Sequence, residues 1–512
     1  MTVFDCPRHI VICGGGTAGW MCAAALSRTI GRAGVSIALV ESEEIGTVGV
    51  GEATIPTIST FNGMLGLDED DFLRATEGTF KIGIVFANWG RAGENYLHPF
   101  GVAGFDYEAI RFHQFWLKLH QADREAWGEF EDYSLSAVAA RAGRFMRPGG
   151  DPDSVLSSMK YAYHFDAGLY ARYLRRYAEA RGVVRIEGRI VDVAQHAHSG
   201  DITGVTLEGG RAINGDFFID CTGFRALLID ETLKAGFEDW SHRLPNDRAL
   251  AVPSESHGPL TPYTQATAES AGWRWRIPLQ HRVGNGHVYC SNHMTDDQAA
   301  RVLMAGLDGK ALGDPRMLKF RAGRRKAFWK GNCVAIGLSA GFLEPLESTS
   351  IHLIQTGISK LLALFPAAQP SQADIDEYNR LTALEYEQAR DFILLHYVAT
   401  RRDDSPYWQE RRRTNVPETL RQKMELFASR GRVFRRDDDL FTIDSWLAVM
   451  LGQGIEPRGY DPLIDALPVT EIEGLVRHVR DAVSRTAAAL PRHEAFIAAI
   501  AGRKPAHERS LT

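Results

Sequence analysis

A glycine-rich turn at residues 14–19 constrains the fold of this chain more than any other feature of its sequence. The turn follows a short apolar, β-branched run at residues 9–13, which is typical of a buried parallel strand. A helical pattern at 20–30 comes next, and a second apolar strand at 35–40 ends in Glu41. A dinucleotide-binding fold places an acid for a ribose hydroxyl roughly 20 residues past its glycines. The complete order of strand, turn, helix, strand and acid therefore predicts a Rossmann-type nucleotide site.

The glycines of this turn match the spacing GxGxxG through Gly14, Gly16 and Gly19. Gly14 allows the tight turn, Gly16 lets the backbone approach a pyrophosphate, and Gly19 lets the helix and strand pack closely. The position of the turn at the start of a long chain favours FAD over NAD. Two later apolar runs, at 217–223 and 333–337, are predicted to return to the same sheet, and ordinary buried strands remain the alternative for each.

A second unusual segment is WRWRIP at residues 273–278. With 10 tryptophans in 512 residues, two of them separated by a single arginine are a rare arrangement. In a strand, Arg274 would face one side while Trp273 and Trp275 pack on the other. The segment by itself is therefore also consistent with an ordinary strand whose tryptophans only pack in the core.

Six segments together make the chain resemble the tryptophan-halogenase family of flavin-dependent halogenases. They run from the N-terminus to about residue 360 and read GGGTAGW at 14–20, VGVGEATIP at 48–56, TFKIGIVFANW at 79–89, LHPFG at 97–101, WRWRIP at 273–278 and IGLSAGFLEPLESTSI at 336–351. The resemblance implies that FADH₂ from a separate flavin reductase, together with O₂, converts a halide ion into hypohalous acid. This oxidant would pass through an internal tunnel to a lysine beside an aromatic substrate.

The resemblance assigns the catalytic roles to Lys81 and Glu347. Lys81 would hold the halogen beside the substrate, because an amine can hydrogen-bond hypohalous acid or form a haloamine. Glu347 would accept the ring proton or stabilise the cationic intermediate. The pattern alone predicts less: Lys81 lies opposite Phe80 on a strand and would be solvated, and Glu347 would be a surface or helix-capping carboxylate. Glu344 is the rival carboxylate.

The same resemblance assigns the binding residues. FAD would be held by Gly14, Gly16, Thr17, Ala18, Gly19, Glu41, Ala53, Gly337 and Leu338. Halide would bind the backbone N–H groups of Thr349 and Ser350, as anions do in backbone nests. An aromatic substrate would contact His98, Pro99 and Phe100. The flavin face would be shielded from the substrate by Trp273, Trp275, Ile277 and Pro278.

Two departures from the family pattern bear on the halide and the substrate. Tryptophan-specific members carry glycine where this chain has Ser350, so the conformational freedom of glycine is lost there. Bromide is easier to oxidise and less strongly hydrated than chloride, and we predict that bromination outpaces chlorination. Residues 434–446 contain no paired tyrosines and no equivalent clamp for an amino acid. Indole or another electron-rich arene is therefore predicted in preference to free tryptophan.

Two other functions fit part of the sequence. A flavin-dependent aromatic monooxygenase would share the nucleotide fold, but it would not need WRWRIP or Lys81 and would react with NAD(P)H itself. The single dinucleotide fingerprint favours a separate reductase instead. A non-catalytic flavin-binding sensor would keep the fold without needing the lysine, the glutamate and the WRWRIP segment together.

Length and periodicity predict an α/β protein of two modules. Residues 1–365 would form a Rossmann-type FAD-binding core interleaved with an antiparallel substrate-side sheet, to which the regions 190–212 and 273–300 would belong. Residues 366–512 would form a mostly helical module that covers the substrate site, because apolar residues recur there at helical spacing.

Charge and cysteine usage restrict the partners. A net charge of −6 gives no support for nucleic-acid binding, and the six cysteines show no zinc spacing, so no metal site is predicted. No apolar run approaches the roughly 20 residues that span a bilayer, and no signal-peptide pattern is visible. We expect a cytoplasmic protein with a flavin reductase and a small aromatic molecule as partners; a homodimer is left open.

Overall fold

A computed structural model of the chain describes residues 6–31, 34–44, 51–435 and 439–502. These residues form a mixed α/β fold with parallel and antiparallel sheets and a largely helical C-terminal part, as predicted. The chain separates into two compact units. The first unit contains Met1–Gly78, Phe165–Pro245 and Lys319–Glu387, and the second contains Thr79–His164, Asn246–Leu318 and Gln388–Thr512. The module boundary at residue 365 stays a prediction.

The α-helices of the described chain are Thr17–Ile30, Thr57–Leu65, Glu69–Ala75, Phe112–Ala122, Arg124–Trp127, Leu135–Arg141, Ala167–Glu179, Asp296–Ala305, Ser350–Ala363, Gln372–Val398, Pro406–Arg412, Glu418–Arg430, Ile443–Gly452, Val469–Ala489 and His493–Ala501. The strands outside the two main sheets are Gly51–Ala53, Thr79–Lys81, Ala162–Asp166, Ile190–Gln195, Ile202–Leu207, Ala212–Asn214, Phe237–Asp239, Gly323–Arg325 and Gly341–Phe342. None of the helices among these residues combines the length and apolar character needed to cross a membrane.

The main sheet of the first unit is parallel along most of its width. The strand His9–Cys13 lies between Ser36–Glu41 and Phe217–Asp220, and Cys333–Ala335 follows beyond Phe217–Asp220. Val184–Glu187 pairs with the far side of Ser36–Glu41, and the short strand at 329–330 closes the opposite edge. The prediction that both later apolar runs return to the nucleotide-binding sheet is confirmed.

The region 190–212 does not join the substrate-side sheet, so that prediction is wrong. Its strands Ile190–Gln195, Ile202–Leu207 and Ala212–Asn214 pair antiparallel with one another within the first unit. Short connections favour such local hairpins. Strand periodicity predicts that a segment is a strand, but it does not identify the strand's partner.

The main sheet of the second unit carries the WRWRIP segment in its interior. Its strand order is Arg316–Lys319, Arg248–Ser254, Val283–Tyr289, Gly272–Pro278, Thr264–Glu269, Gly83–Ala87 and Asn95–Pro99. Trp273, Trp275 and Ile277 are buried on one face, whereas Arg274 and Arg276 are half-buried on the other, as the alternation of a strand requires.

Gly286 on the neighbouring strand makes room for the Trp275 indole. A Cβ atom at Gly286 would lie 2.0 Å from two ring carbons of Trp275. This contact shows why a residue without a side chain stands beside the tryptophan, since the core of a folded protein is close-packed.

Candidate active site

The glycine turn has the geometry of a nucleotide cradle. Gly14 adopts a φ of +110°, and a Cβ there would come within 2.2 Å of the Cys221 carbonyl oxygen. The following helix, Thr17–Ile30, has Gly16 as its N-cap residue, and no side chain caps this end. The first N–H groups of a helix have no acceptor within the helix, and the helix dipole makes this end favourable for phosphate. The residues present therefore fit a dinucleotide.

Gly337 lies against the start of the same helix. Its φ is +83°, and a Cβ there would lie 2.8 Å from the Ala18 methyl carbon. Leu338 follows in a half-buried position, and Ala53 is buried at the end of Gly51–Ala53. The structure thus brings the predicted cofactor residues Ala18 and Gly337 together, although they are distant in sequence. Residues 48–50 of the VGVGEATIP motif lie outside the described residues.

Glu41 lies directly behind the glycine turn. A Cβ at Gly15 would overlap the Glu41 carboxylate. This carboxylate accepts a hydrogen bond of 3.2 Å from the Trp20 indole N–H and forms ion pairs with Arg185 and, at 3.7 Å, with Arg175. The acid predicted for the ribose is therefore next to the turn, and two arginines hold it there.

Glu347 is completely buried, so the interpretation as a surface carboxylate is wrong. It is the last residue of a short 3₁₀ turn at 345–347. Glu344, which directly precedes this turn, is also buried. Ser348 then adopts left-handed backbone angles (φ +59°), and Thr349 adopts right-handed helical angles. Two successive residues of opposite helical hand direct their N–H groups into one concavity, a nest that suits an anion. The predicted halide residues lie at this nest.

Ser350 begins the helix Ser350–Ala363, whose N-terminus carries no side-chain cap. Ser350 does not have a positive φ, so the backbone does not require a glycine at this position. The hydroxyl of Thr349 is buried and has no hydrogen-bond partner in the part of the chain that the structure describes. A buried hydroxyl without a partner is costly, and a ligand at the nest would satisfy it.

A polar network that no sequence motif predicts stabilises the first turns of this helix. Thr57 Oγ1 lies 2.9 Å from His352 Nδ1, and His352 Nε2 lies 3.0 Å from Glu385 Oε1. Lys360 Nζ lies 2.5 Å from the other oxygen of Glu385. Burial would raise the pKa of Glu385, but the hydrogen bond from His352 and the charges of His352 and Lys360 outweigh it and lower the pKa to about 2. The network joins this helix to Thr57, which directly follows the motif at 48–56.

Lys81 is completely buried, so the interpretation as a solvated lysine is wrong. It ends the strand Thr79–Lys81, which pairs with Ala162–Asp166 so that Lys81 is opposite Ala162. The Lys81 ammonium lies 5.0 Å from the centre of the Phe100 ring, within the range of a cation–π interaction. The side chain is therefore held inside the protein beside an aromatic ring.

His98 and Phe100 belong to an aromatic wall that the sequence analysis only partly found. The two rings lie 6.2 Å apart edge to face, and the Phe392 ring is 5.7 Å from His98. Phe441 stacks on Phe392 at 3.7 Å, and Trp446 meets Phe392 edge to face at 4.8 Å. Phe441 and Trp446 come from the region 434–446, of which residues 436–438 lie outside the described residues. Helical spacing did not reveal that they pack on Phe392, whose ring contacts His98.

Pro99 faces a cavity of about 810 Å³ in the second unit. The lining includes Leu97, Pro99, Gly101, Trp116, His120 and Asp444. Successive side chains of a strand point to opposite faces, and Pro99 is accordingly separated from the wall that contains His98.

The WRWRIP strand is joined to the lysine strand. Thr79 donates a hydrogen bond of 2.8 Å from its hydroxyl to the Pro278 carbonyl. The ring of Trp273 lies 6.0 Å from that of Trp275 and 6.5 Å from that of Trp89. Trp275 Nε1 is buried without a hydrogen-bond partner among the described residues. Trp273, Trp275, Ile277 and Pro278 therefore form one rigid, largely apolar segment next to the strand that carries Lys81.

The predicted site residues divide between the two units. The glycine turn, Glu41, Gly337, Glu347 and the halide nest belong to the first unit. Lys81, the residues 98–100 and the WRWRIP segment belong to the second. Within the described ranges, no group of three or more His, Cys, Asp or Glu side chains could hold a metal ion.

Comparisons with known proteins give a consistent result. A sequence profile described as "Tryptophan halogenase" matches residues 9–469. A tryptophan 6-halogenase from Streptomyces toxytricini is 35% identical over 530 residues, which cover 97% of this chain and 99% of that protein. A solved flavin-dependent halogenase from Xanthomonas campestris is 50% identical, with a TM-score of 0.93 and coverage of 98% of this chain and 100% of its own. Another, from Brevundimonas sp. BAL3, is 47% identical, with a TM-score of 0.93 and coverage of 96% and 99%.

Proposed function

The chain belongs to the tryptophan halogenase family, and on that premise we propose that it brominates indole or a related electron-rich arene, with Lys81 relaying the halogen. Enzymes of this family are flavin-dependent halogenases that use FAD, a halide ion and a separate flavin reductase to halogenate aromatic substrates. The burial of Lys81 beside the Phe100 ring is the observation that most supports the role of this lysine. A cytoplasmic location stays a prediction, and a homodimer stays open.

The first unit supplies the residues for the cofactor and the halide. In the proposal, the turn at Gly14–Gly19 and the residue Gly337 hold FAD, with the uncapped N-terminus of Thr17–Ile30 at its phosphates. Bound FADH₂ would supply two electrons to O₂, so that one oxygen atom leaves as water and the other oxidises the halide to hypohalous acid. The N–H groups of Thr349 and Ser350, with the unpartnered Thr349 hydroxyl, bind the halide ion.

The second unit supplies the residues for the substrate. Lys81 holds the halogen either as an ammonium, whose three N–H groups can hydrogen-bond hypohalous acid, or as a neutral amine, which takes the halogen from hypohalous acid and releases water. His98 and Phe100, with the wall of Phe392 and Trp446, offer flat apolar surfaces to an aromatic ring. The rigid WRWRIP segment keeps the arene from direct contact with the flavin. Glu347, which belongs to the first unit, is proposed to accept the proton that leaves the ring.

The preference for bromide rests on the chemistry of the ion. The loss of glycine at position 350 offers little support, because Ser350 does not occupy the left-handed region that favours glycine. Bromide loses its hydration more readily than chloride and is easier to oxidise. A halogenase that binds its halide through backbone N–H groups would therefore turn over bromide faster than chloride.

The preference for an arene other than free tryptophan rests on residues 434–446. That stretch lacks paired tyrosines, and its described residues Phe441 and Trp446 pack on Phe392. The chain is 50% and 47% identical to the flavin-dependent halogenases from Xanthomonas campestris and Brevundimonas sp. BAL3, and only 35% identical to a tryptophan 6-halogenase.

The test is a mass-spectrometric assay with purified protein, flavin reductase, FAD, NADH and indole, with bromide and chloride supplied in parallel. Bromoindole in excess over chloroindole is expected. An oxygen adduct without halogen would instead indicate a monooxygenase, and chloroindole in equal or greater yield would overturn the preference for bromide. If indole stays unreacted, a 1,3-diketone trap for hypohalous acid separates a wrong arene from a wrong function.

A further inference from the structure

We propose that two buried histidines, His164 and His493, are positioning residues for halogenation, because their neutral imidazoles hold the strand that carries Lys81. The inference rests on the proposed role of Lys81. Both histidines come from segments distant in sequence, and both belong to the second unit, as Lys81 does. Neither matches a motif of the sequence analysis.

His493 has only one hydrogen-bonding state that fits its partners. Its Nδ1 atom lies 2.8 Å from the Leu260 carbonyl oxygen, and its Nε2 atom lies 3.2 Å from the backbone nitrogen of Phe80. A carbonyl can only accept a hydrogen bond, and a backbone N–H can only donate one. The imidazole must therefore carry its hydrogen on Nδ1 and present the lone pair of Nε2 to Phe80.

His164 is fixed in the same tautomer. The hydroxyl of Thr79 donates its single hydrogen to the Pro278 carbonyl. His164 Nδ1, 3.0 Å from Thr79 Oγ1, must therefore donate to that oxygen. His164 Nε2, 2.9 Å from Thr264 Oγ1, then accepts a hydrogen bond from Thr264.

The two histidines thus fix the residues on the N-terminal side of Lys81. Thr79 is held through its side chain and Phe80 through its backbone, while the Phe80 ring stacks on Phe145 at 4.2 Å. On the other side of Lys81, the Ile82 N–H donates to the Pro262 carbonyl at 2.8 Å. A lysine on a strand held in this way has its backbone fixed, so its amine keeps its position above Phe100.

Neutrality of the imidazoles matters for this arrangement. Burial lowers the pKa of His493 to about 4, against the opposing effect of the hydrogen bond to Leu260. Burial lowers the pKa of His164 well below its ordinary value, and the positive charge of Lys81 acts in the same direction. A protonated His493 would set an N–H against the Phe80 N–H and would release the strand.

A positioning role differs measurably from a merely structural one. A displaced lysine would fail to capture hypohalous acid, which would then escape, while FADH₂ oxidation in the first unit would continue. A general loss of stability would lower both outputs together. The informative quantity is therefore the ratio of halogenated indole to hypohalous acid caught by a 1,3-diketone trap, measured per FADH₂ consumed.

The experiment compares His493→Gln with His493→Leu. Glutamine can accept from the Phe80 N–H through its side-chain oxygen and donate to Leu260 through its amide, whereas leucine can do neither. His493→Leu is expected to lower the ratio about 10- to 100-fold, since small displacements of a reacting group have effects of this size. His493→Gln is expected to keep most of the wild-type ratio. His113→Leu is the matched control, because His113 is another buried histidine of the second unit and hydrogen-bonds the Gly431 carbonyl.

A wild-type ratio in His493→Leu, equal loss in both His493 variants, or the same loss in His113→Leu would overturn the inference. If His493→Leu does not fold, Thr79→Val tests whether the strand positions Lys81, because it removes the hydroxyl between His164 and Pro278. Thr79→Val should lower the ratio of halogenated indole to trapped hypohalous acid without lowering FADH₂ consumption. Absence of any halogenated indole in the wild type would count against the proposed function. Loss of product in Lys81→Met with an unchanged ratio in His493→Leu would reject only the positioning role.

Discussion

Lys81 illustrates how the alternation of residues along a strand can mispredict the surroundings of a single side chain. It stands among apolar residues that alternate along a strand, and that alternation predicts a lysine facing water. The structure buries it completely, beside Phe100. Burying a charged group is costly, and such groups are retained where they have a use.

Replacing Lys81 with methionine should abolish halogenated indole, because methionine keeps the length of the side chain but has no N–H donor. Hydrogen peroxide should still form from FADH₂ and O₂, since the flavin residues are unchanged. The measurement is product yield beside peroxide yield. Lys160→Met, at an exposed lysine of the same unit, is the control. Wild-type product in Lys81→Met would remove Lys81 from the mechanism.

Replacing Glu347 with glutamine should slow halogenation by about 100-fold or more, because a general base contributes rate effects of this order. The substitution keeps the shape of a completely buried side chain, so FAD affinity should be preserved. The measurements are single-turnover rate and FAD titration by fluorescence. Glu344→Gln is the comparison. Loss of FAD in Glu347→Gln would assign Glu347 a structural role instead.

At the level of residues, the roles assigned to the site residues stay predictions, and the sequence did not reveal their long-range partners. The glycines of the turn and the pair Thr349–Ser350 fall where a nucleotide and an anion fit. The contact between His493 and the Phe80 N–H spans 413 positions of the chain. No local pattern contains such information, because the contact depends on how distant segments pack.

Among the elements, the helix Ser350–Ala363 offers a direct test of the halide nest. Thr349→Val keeps the volume of the side chain but removes its unpartnered hydroxyl. The KM for bromide should rise several-fold, by the equivalent of about 1 kcal/mol for one lost hydrogen bond, while FAD binding is unchanged. Halide titration at saturating indole measures the effect. Ser350→Gly should leave the bromide-to-chloride ratio nearly unchanged, and a large change would contradict the helical geometry described here.

The strand Val283–Tyr289 offers a test of the packing around WRWRIP. Gly286→Ala would force a methyl group to within 2.0 Å of the Trp275 ring, and such overpacking costs about 1–3 kcal/mol. Urea denaturation should show this loss in the free energy of unfolding. Gly474→Ala in the helix Val469–Ala489 meets open space, and it should stabilise the protein by about 0.5–1 kcal/mol. Equal stability of Gly286→Ala and the wild type would mean that Trp275 moves freely.

The strands and helices with strong periodicity were predicted correctly, but the sheet to which a strand belongs was not always predicted. The long helix Gln372–Val398 and the parallel strands around His9–Cys13 follow from apolar spacing and the glycine turn. The strands at 190–214 were expected in the wrong sheet, because a period of two residues describes a strand and leaves its neighbour unspecified.

For the whole molecule, buried histidines predict sensitivity to acid. Burial lowers the pKa values of His113, His287 and His493 to about 4. Below pH 6.5 the unfolded chain protonates these imidazoles and the folded protein does not, so protons favour unfolding. The free energy of unfolding should fall between pH 6.5 and 4, by about 3 kcal/mol per histidine at the end of that range.

Urea denaturation at a series of pH values measures this loss, and His493→Gln should make the dependence on pH shallower. The low pKa of Glu385 adds a further loss of stability, which begins near pH 4.5, where this carboxylate is protonated in the unfolded chain only, and is complete near pH 2. Stability that stayed constant or rose on acidification to pH 4 would show that the histidines are accessible to solvent.

The order of strands in the first unit has a consequence for synthesis of the chain on the ribosome. The neighbour of the strand His9–Cys13, Phe217–Asp220, is made about 200 residues after it, and Cys333–Ala335 is made later still. At roughly 5–20 residues per second, the first strand waits on the order of 10–40 s for that neighbour. During this interval an apolar edge is exposed in the nascent chain. Co-expressed chaperones, which cover such an edge while the chain is completed, should therefore raise the soluble yield.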